Sequence, residues 1–259
     1  MEKRGQITIF VILGIIIIVI FILFFLLRTN IKPEINYEIS EKNPNYFLKT
    51  CIEDDLRYNI DKISINGGYL NPVLTKTFKF ENEEIFSEIA YLCYTKNYYV
   101  TCVNQEPMFI NHLKNELKES ISDEVQECFD SLAKSFEKEG YVVDASYRGF
   151  DLYLKYGELD IKLNAELKLT NPKESFKENN FKIVFKTKIY DLTEVVQEIV
   201  SQEARFCNFD NTGYMMIHPQ IKISKFRTSD FNTLYTLEHK KTKEKFRFAI
   251  RGCAIPPGI

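Results

Sequence analysis

The sequence predicts an α+β body behind an N-terminal transmembrane helix, with helices packed on an antiparallel sheet. Three observations predict it. Ile7–Leu27 is an apolar run broken only by Thr8 and Gly14. The apolar period then changes from helical spacing to strict alternation at about Tyr141. All six cysteines follow the apolar run.

Residues 1–6 form a short charged head carrying Glu2, Lys3 and Arg4, read as cytoplasmic. At ~1.5 Å per residue the run 7–27 makes a helix of about 31 Å, the thickness of a bilayer core of ~30 Å. A cleaved secretory signal has a shorter apolar stretch ending in small residues. Here Arg28-Thr29-Asn30 follows, so the helix is expected to be retained as a single-pass anchor. Lys3 and Arg4 at one end nearly balance Arg28 and Lys32 at the other, and charge alone leaves orientation open. The even cysteine set tips it: an oxidising exterior permits disulfides, so the N-terminus is expected inside and the body outside.

Residues 28–45 read as a stalk, because Pro33 and Pro44 bracket a polar stretch. A mainly helical lobe, 46–140, comes next. Its first helix runs from about Tyr46 to Ile65, with Leu48, Cys51, Ile52, Leu56, Ile60 and Ile63 on one stripe, and Asn66-Gly67-Gly68 ends it. Tyr69–Phe80 reads as irregular and Glu83–Leu92 as a brief helix. A long helix is expected from Pro107 to Gly140, on the stripe Ile110, Leu113, Leu117, Ile121, Val125, Cys128, Phe129, Leu132 and Phe136.

A β-rich lobe, 141–259, completes the chain. Leu159, Ile161, Leu163, Ala165, Leu167 and Leu169 alternate with polar residues, as do Phe181, Ile183, Phe185, Thr187 and Ile189. Such alternation marks antiparallel strands with one buried and one wet face. Asp151–Tyr156 precedes them, with Gly157 as hairpin turn. A helix of about 12 residues is expected after Asp191 as N-cap, with Glu194 completing a capping box. Gln220–Phe226, Asn232–His239 and Glu244–Cys253 read as closing strands. The two lobes are separate units or one body; the periodicity allows both.

Six cysteines allow 15 pairings. Cys93 with Cys102 is the first expectation, across a turn near Lys96-Asn97; Cys51 and Cys128 lie on two helical stripes, and Cys207 and Cys253 remain. No CxxC is present, and His112, His218 and His239 are scattered without HExxH, so neither zinc spacing nor a cofactor motif is visible. Glu53-Asp54-Asp55 fans around a helix and reads as a solvated face. Lys240-Lys241-Thr242-Lys243 reads as a hairpin tip, because a net charge of −2 and interleaved acids argue against nucleic acid. No small-molecule substrate is indicated. Tyr94, Tyr98 and Tyr99 gather around the expected Cys93–Cys102 loop and are the candidate partner contact, since exposed tyrosine brings large area at low entropy cost.

The head Lys3-Arg4-Gly5-Gln6-Ile7-Thr8, before a long apolar helix, resembles archaeal type IV pilin-like precursors. The resemblance implies peptidase cleavage between Gly5 and Gln6 and assembly with other copies or surface proteins. The chain departs from that pattern at Phe10, where many pilins carry Glu, and at Pro33 and Pro44, which interrupt the stem. Elsewhere Cys51-Ile52-Glu53, Asn66-Gly67-Gly68-Tyr69, Cys128-Phe129, Phe246–Arg251 and Pro256-Pro257-Gly258 are similar to single-pass membrane proteins of small-genome archaea, a likeness that implies no activity. The expected function is a non-enzymatic surface protein in contact with the lipid bilayer and with other membrane proteins, in its sharper form a pilin-like subunit. The alternatives are a monomeric receptor, adhesin or accessory subunit, and an extracytoplasmic enzyme with a dispersed site.

Overall fold

The computed structural model describes residues 43–256 apart from 82 and 173, together with residues 14, 17 and 18. The anchor 7–27, except for those three helical positions, the leader Gly5-Gln6 and the stalk up to residue 42 lie outside the described residues. Among the described residues no helix is long and apolar enough to cross a membrane. Met1–Asn43 and Pro44–Ile259 are two units, and the second is the body analysed below.

Helix α1, Pro44–Ile65, buries Leu48, Ile52, Leu56, Ile60 and Ile63, which the helical period stacks on one side. It starts earlier than expected, because Pro44 occupies the first helical position, where its missing N–H costs nothing. Gly67 (φ +82°) and Gly68 (φ +94°) end it, and the Gly68 N–H returns to the Ile63 carbonyl at 2.8 Å. A Cβ at Gly67 would meet Ala90 at 2.8 Å, so this turn needs glycine for space as well as for conformation.

Strand β1 (Thr75–Phe78) replaces part of the irregular stretch, and β2 (Ser87–Tyr94) replaces the expected brief helix. Ile89 to Cys93 are all buried, so both faces of β2 are covered and the alternation that would mark a strand is erased. Strand β3 is Val103–Asn104. The expected long helix is two: α2, Phe109–Ser120, and α3, Ser122–Lys138. They part at Ile121 (φ −116°, ψ 8°), where Ser120 Oγ bonds back to the Leu117 carbonyl and Asp123 and Glu124 supply the acidic first turn of a new helix. Phe109, rather than Ile110, faces the core of α2.

Strands β4 (Val142–Lys155) and β5 (Glu158–Thr170) form a long hairpin about Gly157 (φ +73°), with a bulge between Tyr147 and Phe150. β4 thus begins nine residues before the expected Asp151. The short β6 (Ser175–Glu178) and β7 (Phe181–Lys186) pair with opposite ends of β5. Helix α4, Ile189–Phe206, starts before Asp191. Asp191 is not its N-cap: its carboxylate accepts from the Gly157 N–H at 2.8 Å and pairs with Lys188 at 3.0 Å. Thr187 Oγ1 accepts from the Ile189 N–H instead, and Glu244 accepts from both Thr187 Oγ1 and the Lys188 N–H. A short α5 (Asn211–Ile217) is capped by Asp210, and β8 (Ile221–Arg227), β9 (Thr233–His239) and β10 (Lys245–Arg251) complete the chain.

One sheet runs β1-β2-β10-β9-β8 with β3 beside β2; the other is β4-β5-β6 with β7 also on β5. The second sheet is antiparallel, but in the first β10 pairs parallel to β2, so the architecture is α+β with one mixed sheet. Helix α1 packs on β7 of one sheet and β10 of the other, while α4 touches β10 and β4. The helices lie between the sheets and share one buried cluster with both, so no lobe boundary falls near residue 140. Disulfides join Cys51–Cys128, Cys93–Cys102 and Cys207–Cys253, and no cysteine is free.

Phe129 sits at the centre of this shared core, 1% exposed, with its ring edge-on to Phe181 at 5.6 Å. Phe129→Ala is expected to lower stability by about 3–5 kcal/mol, and the double change Cys51→Ser with Cys128→Ser by about 2–4 kcal/mol, both read from urea unfolding under non-reducing conditions.

Candidate functional site

The side of the first sheet facing away from the helices has its own small apolar cluster. Ile89, Tyr91, Leu234 and Ala249 are buried there, with Phe78, Phe80 and Tyr94 packed over them. At one end Arg247, 5% exposed, ion-pairs with Glu83 and lies 3.9 Å from the Phe80 ring centroid. That arginine holds the Glu83 carboxyl below its ordinary range, chiefly through hydrogen bonding. Phe80 and Glu83 are thereby fastened across the sheet.

At the other end the surface opens into a cleft of about 480 Å³ lined by Tyr91, Tyr94, Tyr98, Asp230, Phe231, Asn232 and Arg251. Strand pairing builds it: the parallel register sets Arg251 opposite Tyr94. The Arg251 guanidinium lies 6.0 Å from the Tyr94 ring centroid and 5.4 Å from that of Tyr98, and donates to the Thr95 carbonyl. Tyr91 and Tyr94 stand 5.0 Å apart with their planes at 59°. The Tyr91 hydroxyl donates to Asn232 Oδ1 at 2.9 Å. Burial pushes the Tyr91 phenol up, so it stays a neutral donor.

The opposite wall is the turn between β8 and β9. Phe231 adopts φ +61° there, a conformation that disfavours a bulky side chain and survives only where its surroundings fix it. Thr228 provides that fixing: its N–H and hydroxyl reach the Asn232 carbonyl, and the hydroxyl also contacts Asp230. Burial pushes the Asp230 carboxyl up, but Lys76 at 2.6 Å and the hydrogen bonds of Thr228 and Asn232 outweigh it and hold it well below the carboxylate range.

Of the tyrosines singled out by sequence, Tyr94 and Tyr98 meet in this cleft. Tyr99 (φ +59°, 62% exposed) is absent from its lining and instead ties its N–H to the Ala254 carbonyl. Sequence reasoning missed Asp230, Phe231, Asn232 and Arg251; the polar run Thr228-Ser229-Asp230 was the only local signal, and it reads as an ordinary turn. The remaining chemistry-bearing residues do not converge. His112 meets the Gly68 carbonyl at 3.0 Å, His218 stacks on Tyr214, and His239 Nδ1 lies 3.0 Å from Thr242 Oγ1 in its hairpin. Glu53 pairs with Arg57, and Asp54 and Asp55 are exposed. Lys240–Lys243 is the exposed tip between β9 and β10. Cys51, Glu124 and Cys128 lie at metal-ligand range, but both sulfurs are bonded to each other, which removes the thiolates a metal would need.

Two further cavities flank the cluster. One of about 660 Å³ is rimmed by Lys62 and by Glu83, Glu84 and Glu88; the other, of about 480 Å³, lies over Phe78, Phe80, Phe226 and Leu234. The second also joins aromatic rings to charges of both signs, but its Arg247 and Glu83 are paired with each other and Arg247 covers the Phe80 ring. No protein-family model, curated protein or solved structure matches the chain.

The depressed Asp230 and Glu83 carboxyls set a pH dependence. A folded-state value below the unfolded one of about 4 adds stability above that pH, and the gain is lost as pH falls through the folded value. The urea midpoint is therefore expected to hold level above about pH 5 and to fall below about pH 4, with a shallower fall in Asp230→Asn.

Proposed function

We propose that the chain is a non-enzymatic, single-pass membrane-anchored surface protein whose disulfide-braced body stands outside the cell and binds a partner through the tyrosine cleft. The observation that carries this reading is the complete pairing of the cysteines in three disulfides, a state that an oxidising exterior sustains and a reducing cytoplasm does not. The apolar run Ile7–Leu27 supplies the anchor, and Lys3 and Arg4 suit an inside N-terminus. The cleft supports binding because its aromatic walls and polar rim are held in place by strand pairing and by a strained turn.

The head Gly5-Gln6-Ile7-Thr8 favours a second, sharper form in which a pilin-type peptidase cuts before Gln6 and the body joins a surface appendage. Intact mass and N-terminal sequence of the protein from native membranes test both forms. Full reduction of three disulfides is expected to add about six mass units, and protease added to intact cells is expected to remove the body. An unchanged mass on reduction, or a protected body, overturns the surface reading. A start at Gln6 assigns the appendage form, and a start at Met1 assigns a plain anchor.

A further inference from the structure

We infer that the cleft between Tyr94, Tyr98 and Asp230 binds a neutral pyranose carbohydrate. This deepens the binding reading above and rests on it. The first argument is the disposition of the rings. Tyr91 and Tyr94 meet at 59°, not face to face, and Tyr98 is 42% exposed. Aromatic faces carry partial negative charge, and the C–H face of a pyranose presents partial positive charge over an apolar plane of similar size. A sugar ring suits such walls better than a second aromatic ring, which would seek an edge or an offset stack.

The second argument is the polar rim. Arg251, at the end of β10, has five donors, one of which goes to the Thr95 carbonyl in the neighbouring loop. Across the cleft the Asp230 side chain is 53% exposed although Lys76 and Thr228 each contact one of its oxygens. A planar guanidinium and a planar carboxylate each engage two hydroxyls on adjacent carbons, the one as donor and the other as acceptor. Sugars present such pairs, whereas most other neutral metabolites do not.

The third argument is charge. A phosphate or an acidic peptide drawn to Arg251 would face the Asp230 carboxylate, and a cation drawn to Asp230 would face Arg251 and Lys76. Each mismatch disfavours a charged ligand, while a polyol meets both walls without one. The volume of about 480 Å³ lies within the ~300–1,000 Å³ range of small-ligand clefts. The hydrogen bonds of Thr228 to the Asn232 carbonyl and to Asp230 brace this wall, which limits the ordering cost of binding.

The test uses the full chain in lipid nanodiscs, with disulfides intact, against neutral mono- and oligosaccharides of glucose, mannose, galactose and N-acetylglucosamine. Sugar phosphates and an acidic peptide serve as comparators. Saturation-transfer NMR and calorimetry are expected to detect at least one neutral sugar, with affinity reduced tenfold or more in Tyr98→Ala and in Asp230→Asn and unchanged in Tyr99→Ala. Binding of monosaccharides alone assigns a free sugar, and affinity that rises with chain length assigns a surface glycan. The inference is overturned if no neutral sugar binds at millimolar concentration. It is equally overturned if the sugar phosphates or the peptide bind more tightly, or if Tyr98→Ala and Asp230→Asn, both folded by circular dichroism, bind like the parent. An externally exposed, oxidised body with no sugar binding defeats this inference alone and leaves the surface reading in place.

Discussion

The insertion of β10 between β2 and β9 is the constraint on which the rest of the body depends. Its register joins Ala249, Ile250 and Arg251 to Tyr91, Cys93 and Tyr94, residues roughly 160 positions earlier. The pairing must be parallel, and parallel strands cannot be closed by a tight turn, so everything between them has to fold back as a crossover. That intervening chain supplies every helix of the body except α1, and the entire second sheet. Loop closure on this scale carries an entropic cost that the contacts of the sheet and helices must offset. Once made, the pairing buries Phe246, Phe248 and Ile250 against the helices and leaves Arg247, Ala249 and Arg251 for the opposite face.

Local physics wrote part of this fold plainly into the sequence. Leu159 to Leu169 and Phe181 to Phe185 alternate because their strands have one wet face, and the α1 stripe repeats at helical spacing because one side of that helix meets the core. The reading failed where tertiary surroundings overrode the local pattern. Ile89 to Cys93 lie in a strand covered on both sides, so their apolar run carried no period. The stripe from Leu113 to Leu132 stays in phase across Ile121 although the helix breaks there, because both halves face the same core. Asp191 looked like a cap, but the Gly157 hairpin, far away in sequence, captured its carboxylate. The cleft was legible in the same measure: Tyr94 and Tyr98 are close in sequence, whereas Arg251 and Asp230 reach them only through the sheet.

The three disulfides brace different parts of the body. Cys93–Cys102 spans nine residues and restricts the unfolded chain least, yet it fixes the base of the loop that carries Tyr98. That loop is also held by the Thr95 N–H on the Arg251 carbonyl and the Tyr99 N–H on the Ala254 carbonyl. Cys207–Cys253, spanning 46 residues, ties the same C-terminal segment to the end of α4, where Cys207 turns the chain at φ +54°. Loop, tail and helix end thus form one braced corner beside the exposed tyrosines.

Cys51–Cys128 has a different consequence, a mechanical one. The polypeptide enters the body at Pro44, and α1 is the first element to feel any pull transmitted along the chain from the preceding residues. Seven residues, Pro44 to Thr50, precede the covalent link to α3. Unwinding them from ~1.5 Å to ~3.5 Å per residue yields about 14 Å of slack. Beyond that the load passes through sulfur into α3 and the core, bypassing the rest of α1. The first two turns of α1 therefore behave as a short extensible leash with a covalent stop, and the strands that shape the tyrosine cleft lie on the sheltered side of that stop.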